Sequence, residues 1–179
     1  MLMRTLRALT ATCLMCFAVA AYADWTSAVP NARLLGQGTL CIWGFSVYDA
    51  QLWSAASPQQ VITLSTPFAL QLTYKRSLSR DDLVKASVKE LRRLAPPSFD
   101  SQQLERWTEH MQRAFVDVAP GDQITGVFVP QYGARFYAGR TLQHEVQDPA
   151  FAEAFFMIWL DPRTRNNTLR TQLLGDNRL

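Results

Sequence analysis

Asp148-Pro149-Ala150-Phe151-Ala152-Glu153-Ala154-Phe155-Phe156-Met157-Ile158-Trp159-Leu160-Asp161-Pro162 is a helix with both ends written into it. Asp148 offers a carboxylate to the first free amides, and Pro149 suits the first helical position, where no amide hydrogen is needed. Asp161-Pro162 stops the chain, because proline cannot continue a helix. Between these ends Phe151, Ala154, Phe155, Phe156, Met157, Ile158 and Trp159 put apolar side chains nearly all round. A surface helix shows one apolar stripe, so this one is predicted to be a central, buried element.

Working outward, the chain before it reads as strands. Residues 124–129 follow the turn signal Pro120-Gly121-Asp122, and 135–137 and 141–146 are joined through Ala138-Gly139-Arg140 as a hairpin. After it, a short helix over 168–174 meets Gly175. Further upstream the period is helical. Ser79, with Asp82 three residues on, resembles a capping arrangement before Leu83, Val84, Val88, Leu91 and Leu94, and Pro96-Pro97 ends that stripe. A second helix starts near Asp100 or Ser101 with the stripe Leu104, Trp107, Met111, Ala114 and Phe115. Residues 29–75 read as strands. Within the run 39–53, Cys41, Trp43, Phe45 and Val47 share one parity and are expected on one sheet face. Phe68, Leu70, Leu72 and Tyr74 alternate with Ala69, Gln71, Thr73 and Lys75 as a half-buried strand. The predicted class is α+β, a sheet with its helices gathered on one face.

The N-terminus has a different composition. Arg4 and Arg7 precede an apolar run that closes on Ala21-Tyr22-Ala23, the order of a cleavable secretory signal over residues 1–23. The run is shorter than the roughly 20 apolar residues that a spanning helix takes, so no stable membrane anchor is expected. The rest, 24–179, is expected to be a single domain in the periplasm. Loss of Arg4 and Arg7 lowers the net charge from +3 to +1, which gives no electrostatic case for nucleic acid or an anionic membrane. Cys13 and Cys16 leave with the signal, so Cys41 has no disulfide partner. No cofactor and no metal set is expected, because His110 and His144 are distant in sequence.

No catalytic constellation is visible. The serines lie in no Gly-x-Ser-x-Gly elbow, and neither histidine has a triad partner at motif spacing. His144 shares parity with Leu142 and Val146 and reads as a structural histidine. His110 flanks an apolar stripe and reads as solvated. Gly36-Gln37-Gly38 lacks a third glycine and a following helix, so a bulge or bend is favoured over a phosphate loop. Cys41, between apolar neighbours, reads as a buried, inert thiol. Trp43, Tyr48, Trp53, Tyr74, Arg76 and Trp107 combine apolar walls, hydroxyls and one guanidinium, the make-up of an apolar-ligand pocket. They are equally the ordinary core and edge residues of an aromatic-rich chain.

An ordered series of motifs gives these readings a family. Leu35-Gly36-Gln37-Gly38 leads into Trp43-Gly44-Phe45-Ser46-Val47-Tyr48-Asp49-Ala50, then come Tyr74-Lys75-Arg76, Phe115-Val116-Asp117-Val118, Gly121-Asp122 and Phe136-Tyr137. Phe151 to Phe156, Ile158-Trp159-Leu160-Asp161-Pro162, Leu169-Arg170 and Leu173-Leu174-Gly175 complete it. The chain resembles the bacterial, exported branch of the chalcone isomerase-like family over nearly all of residues 24–179. The resemblance implies an open-faced β-sandwich, a curved antiparallel sheet carrying a layer of helices, with a ligand cleft between the two.

The family's functional residues carry over in part. Its ligand-binding arginine, in a Gly-x-Gly-x-Arg context, falls at Leu40, while the tyrosine of its Val-Tyr pair is kept as Tyr48. The isomerases' Tyr, Lys and Asn on the first helix fall at Leu83, Ala86 and Glu90. Leucine cannot hydrogen-bond an anion and Glu90 would repel one, so chalcone isomerisation is not expected. The leading expectation is a non-catalytic periplasmic protein that binds an apolar small molecule, such as a fatty acid or related lipid. Tyr48, Trp43, Tyr74, Arg76 and Trp107 are its candidate ligand-binding residues, with Arg76 replacing the missing arginine if it points inward. Two other readings stay open. One is an isomerase or lyase with Tyr48 or Tyr74 as acid, and the other is an interaction protein whose cleft is plugged by Trp43, Trp53 and Trp107.

Overall fold

The computed structural model describes residues 24–95 and 100–175. The expected signal segment and Pro96-Pro97 lie outside the described residues. Six strands form one sheet in chain order, each antiparallel to the next: β1 (Arg33–Ile42), β2 (Phe45–Ser54), β3 (Phe68–Tyr74), β4 (Gln123–Val129), β5 (Gly133–Ala138) and β6 (Thr141–Val146). The helices are α1 (Pro58–Ile62), α2 (Arg80–Leu94), α3 (Ser101–Ala114), α4 (Pro149–Leu160) and α5 (Asn167–Leu173).

Strand parity sorts the two sheet faces. Tyr48, Ala50 and Leu52 of β2 stand opposite Tyr74, Leu72 and Leu70 of β3, and this face joins the helices in the main core. The other parity carries cross-strand polar pairs: Thr39 donates to Asp49 at 2.8 Å, Gln51 to Gln37 at 3.0 Å and Arg135 to Glu145 at 2.6 Å. Such pairs let a sheet face water on one side. The open face is covered in part. Trp25 and Val29, from the turn that precedes β1, pack there on Ala69, Val127 and Tyr137.

The helix read over 148–162 is the centre of the structure. Asp148 Oδ1 accepts from the Phe151 amide at 3.0 Å, and Phe151, Ala152, Phe155, Phe156 and Leu160 are buried. At its far end Thr164 Oγ1 donates to the Ile158 carbonyl at 2.9 Å and Arg170 Nε to the Leu160 carbonyl at 2.6 Å, so two of the last free carbonyls are satisfied. Ser79 caps α2 by accepting from the Asp82 amide at 3.1 Å, and Asp100 caps α3 through Gln102 at 3.0 Å, as the sequence signals.

Three expectations are corrected. The run 39–53 is two strands, because Trp43 (φ 50°) and Gly44 (φ 81°) form a tight hairpin turn and pair Cys41 with Ser46. Trp43 and Phe45 therefore do not share a continuous strand face with Cys41 and Val47. Cys41 is exposed on the edge strand beside the hairpin turn, its Sγ near the exposed Ser46 hydroxyl. Helix α1 also lies within the half read as strands. Ser57, Pro58 and the reciprocal Gln60 side chain supply its start, a signal that the sequence carries at short range.

Gly36 does coincide with a bulge, between Leu34 and Gly36, whereas Gly38 pairs in regular register with Ala50. Both glycines have a packing purpose. A Cβ on Gly36 would lie 2.0 Å from the Gln172 carbonyl oxygen, and one on Gly38 would lie 2.9 Å from the Leu169 side chain. Helix α5 packs directly on the bare backbone of β1 here.

Candidate functional site

The five sequence-nominated residues fall in three places. Tyr48 and Tyr74 sit side by side on the helix face of the sheet, with ring centroids 5.9 Å apart in an edge-to-face arrangement. Leu40 stands directly across β1 from Tyr48 and is buried. From α4, Trp159 Nε1 donates to the Tyr48 hydroxyl at 2.9 Å, and its ring lies 5.4 Å from that of Phe155. Burial raises the Tyr48 phenol well above its ordinary value, while the Trp159 hydrogen bond draws it partly back. Tyr74 is raised likewise, by burial first and then by its neighbour Tyr48. Both hydroxyls are thus held protonated, and neither is a base.

Trp43 and Arg76 lie elsewhere. Trp43 is 94% exposed at the tip of the β1–β2 hairpin, and the Arg76 guanidinium stands 6.0 Å over the exposed Phe45 ring beside it. Arg76 therefore faces outward and does not stand in for the arginine that Leu40 replaces. Trp107 belongs to the third place. It is buried under α3, its Nε1 donates to Asp148 Oδ2 at 2.9 Å and its ring meets Phe151 at 5.8 Å. Trp53 packs with Trp25 on the opposite face of the sheet. The space between sheet and helices near Tyr48 is occupied by Trp159 and Phe155, and not by Trp43, Trp53 or Trp107. The partner of Tyr48 is 111 residues away in sequence, and no spacing rule reaches that far.

The fold also builds a groove that no single motif announces. Helices α2 and α3 lie side by side and part to leave a trough of about 870 Å³. Val84 and Val88 contribute apolar lining; Asp81, Lys85, Lys89, Arg92 and Arg93 stand along the α2 wall, and Glu105 belongs to the α3 wall. These α2 positions recur every three or four residues, the spacing of a single helix face. At the Asp81 end Gln112 closes the trough by donating to Asp81 at 3.3 Å. At the other end Arg93 is fixed by Glu90 at 2.7 Å and by the Arg163 carbonyl at 2.8 Å. Arg93 Nη2 is buried and has no acceptor. A buried cationic N–H without an acceptor is costly. Glu90, the position expected to repel an anion, is neutralised by Arg93 and, at 3.0 Å, by Arg165.

The two histidines are brought together. His110 Nδ1 of α3 and His144 Nε2 of β6 lie 3.2 Å apart, and the ring centroids are 5.5 Å apart, so the rings meet through their nitrogens. His144 stands opposite Phe136 on the helix side with Val146, but it does not share that face with Leu142, because a register shift sets Leu142 opposite Tyr137 and leaves it exposed. His110 is half-buried instead of solvated, because α3 lays it against Phe151 at 5.9 Å. Burial depresses the His144 imidazolium, and the charges of His110 and Arg113 add to that. Among the described residues no group of three or more histidine, cysteine or carboxylate side chains is placed to hold a metal.

Comparison with known proteins agrees with this architecture. An uncharacterized protein of Haemophilus influenzae is 29% identical over 160 residues, covering 89% of this chain and 72% of its own length. The crystal structure of a fatty-acid binding protein of Arabidopsis thaliana superposes with a TM-score of 0.62 at 11% identity, covering 86% of this chain and 90% of that one. That level of identity speaks for the fold alone. The family described as chalcone isomerase-like matches residues 20–175, which takes in every strand and helix from β1 to α5. With its six-stranded antiparallel sheet and one-sided helical layer, the chain belongs to the chalcone isomerase-like family.

Proposed function

We propose that this protein is an exported, non-catalytic binder of an anionic amphiphile of the fatty-acid class, held in the groove between α2 and α3. The observation that carries the reading is a trough whose lining sets Val84 and Val88 beside the cations Lys85, Lys89, Arg92 and Arg93. An alkyl chain suits the valines and the aliphatic stems of Lys85 and Lys89, and a carboxylate suits Arg93 and its neighbour Arg92. The Arabidopsis protein that shares this fold is a fatty-acid binding protein, so its ligand is of the same chemical class. Export is supported by the basic, apolar and small-residue order of residues 1–23. If the signal is cleaved after Ala23, N-terminal sequencing of the protein recovered from the periplasm will begin at Asp24.

A catalytic reading has less support. The positions that match the isomerases' polar residues hold Leu40, Leu83, Ala86 and Glu90, and burial makes the Tyr48 and Tyr74 hydroxyls weaker acids than a free phenol. Titration with saturated fatty acids of increasing length, followed by calorimetry, tests the binding reading. We expect saturable 1:1 binding that the double variant Lys89→Glu/Arg92→Glu weakens at least tenfold, with the thermal midpoint unchanged because both side chains are exposed. Equal affinity in wild type and variant would remove the groove as the site. No binding of any chain length would remove the function.

A further inference from the structure

Folding normally hides large apolar side chains or scatters them singly on the surface. The β1–β2 hairpin tip does neither. Ile42 is 49% exposed, Trp43 94% and Phe45 66%, three large apolar side chains about one tight turn. Trp43 also has φ 50°, followed by Gly44 at φ 81°. The first central position of such a turn favours asparagine, aspartate or glycine, and a bulky residue there is strained. The folded chain gains little in return, since Trp43 is almost wholly in solvent and the space beside Gly44 is open to at least 4 Å. A strained, solvent-exposed tryptophan is an observation that calls for a use outside the monomer.

We propose that this tip is a membrane-docking wedge, which inserts Trp43, Ile42 and Phe45 into the interface of a bilayer containing anionic phospholipid. Two features favour a lipid surface over a protein. The tip is a convex turn with three apolar side chains, too small to form the core of a stable protein interface. The Arg76 guanidinium sits over the Phe45 ring and makes no ion pair among the described residues. A tryptophan at the tip and a cation set behind it match the order of interface and phosphate that a membrane presents. The near-neutral net charge supplies no long-range attraction. Insertion of the apolar tip drives the docking, and Arg76 adds preference for anionic headgroups. This is reversible contact with a surface, distinct from a spanning anchor, and it does not depend on what the α2–α3 groove holds.

The test is co-sedimentation of the chain from Asp24 onward, which contains every described element, with two kinds of vesicle. One is phosphatidylethanolamine with phosphatidylglycerol at 3:1, and the other is phosphatidylcholine alone. We expect wild type to partition into both and to favour the first. Trp43→Asn should lower partitioning at least tenfold in both, while its thermal midpoint stays equal or rises, because asparagine tolerates the positive φ. Arg76→Gln should erase the preference for the anionic vesicle and leave the phosphatidylcholine partitioning intact. Brominated lipid should quench the emission that Trp43→Asn removes. Absence of vesicle binding by wild type, or equal binding by Trp43→Asn, overturns the proposal. So does a marked fall in the Trp43→Asn midpoint, which would show that the tip serves folding. Fatty-acid affinity measured without vesicles should be the same in wild type and Trp43→Asn, so failure of the wedge and failure of the groove are separate results.

Discussion

At the scale of single residues, chemistry depends on partners that the chain brings from far away. Tyr48 was legible as a candidate from its motif, but its environment was not, because Trp159 reaches it from α4. Tyr48→Phe removes the acceptor of a half-buried indole N–H and should lower stability by about 1 kcal/mol in urea unfolding. If Tyr48 holds the ligand instead, the same variant will weaken fatty-acid binding, so measuring both quantities assigns the hydroxyl. The histidine pair makes a second residue-scale prediction. His144 in the folded chain is depressed below its ordinary value of 6.5, so the unfolded chain takes up the proton more readily. Its contribution to stability is therefore complete above about pH 6.5 and is lost as the pH falls from there through the folded-state value. The urea midpoint should decline from pH 7.5 to pH 5, and His144→Gln should flatten that decline. An unchanged slope in the variant would exclude His144 as its source. Neither histidine is paired by sequence spacing, since one lies on a helix and the other on a strand 34 residues on.

At the scale of elements, most boundaries follow local rules and the close packings do not. Ser79, Asp100 and Asp148 cap α2, α3 and α4 because short acceptors next to apolar stripes satisfy free amides within three residues. The hairpin tip was hidden because alternation continues through Trp43-Gly44, and apolar parity alone does not show that a tryptophan takes a positive φ. Gly36 and Gly38 read locally as a bend, yet they also serve the seating of α5 on β1. Gly36→Ala places a methyl group 2.0 Å from the Gln172 carbonyl oxygen, a backbone atom that cannot simply rotate away. We expect a loss of at least about 1–3 kcal/mol, the usual range for overpacking, read as a lower urea midpoint. A neutral result would mean that α5 docks on β1 less closely than its geometry indicates. The element-scale lesson is that a glycine's reason can lie on an element more than a hundred residues away.

At the scale of the whole molecule, one layer of helices on one face of a sheet leaves two kinds of surface. The space beneath the helices is filled by α4, whose Phe155, Phe156 and Trp159 lie where the family resemblance implies a cleft. The groove between α2 and α3 lies in the helical layer itself. A ligand that binds only the folded chain raises its stability by mass action, about 2.7 kcal/mol at a hundredfold excess over Kd. A fatty acid that fits the groove should therefore raise the thermal midpoint in proportion to the logarithm of its concentration. Added salt should weaken the effect, because the proposed contacts to Lys89 and Arg92 are exposed. A midpoint insensitive to fatty acid would count against the groove. The sequence by itself determined the α+β class, the buried central helix, the capped starts of α2 to α4 and the one-sided strands, because these depend on periodicity and on neighbours a few residues apart. Only the tertiary structure decided that Trp159 seals Tyr48, that His110 meets His144, that Arg93 presents a buried N–H beside the groove and that Trp43 stands in solvent. Each of these is a contact, or the absence of one, between segments remote in the chain, and their relative placement is set by how the layers pack.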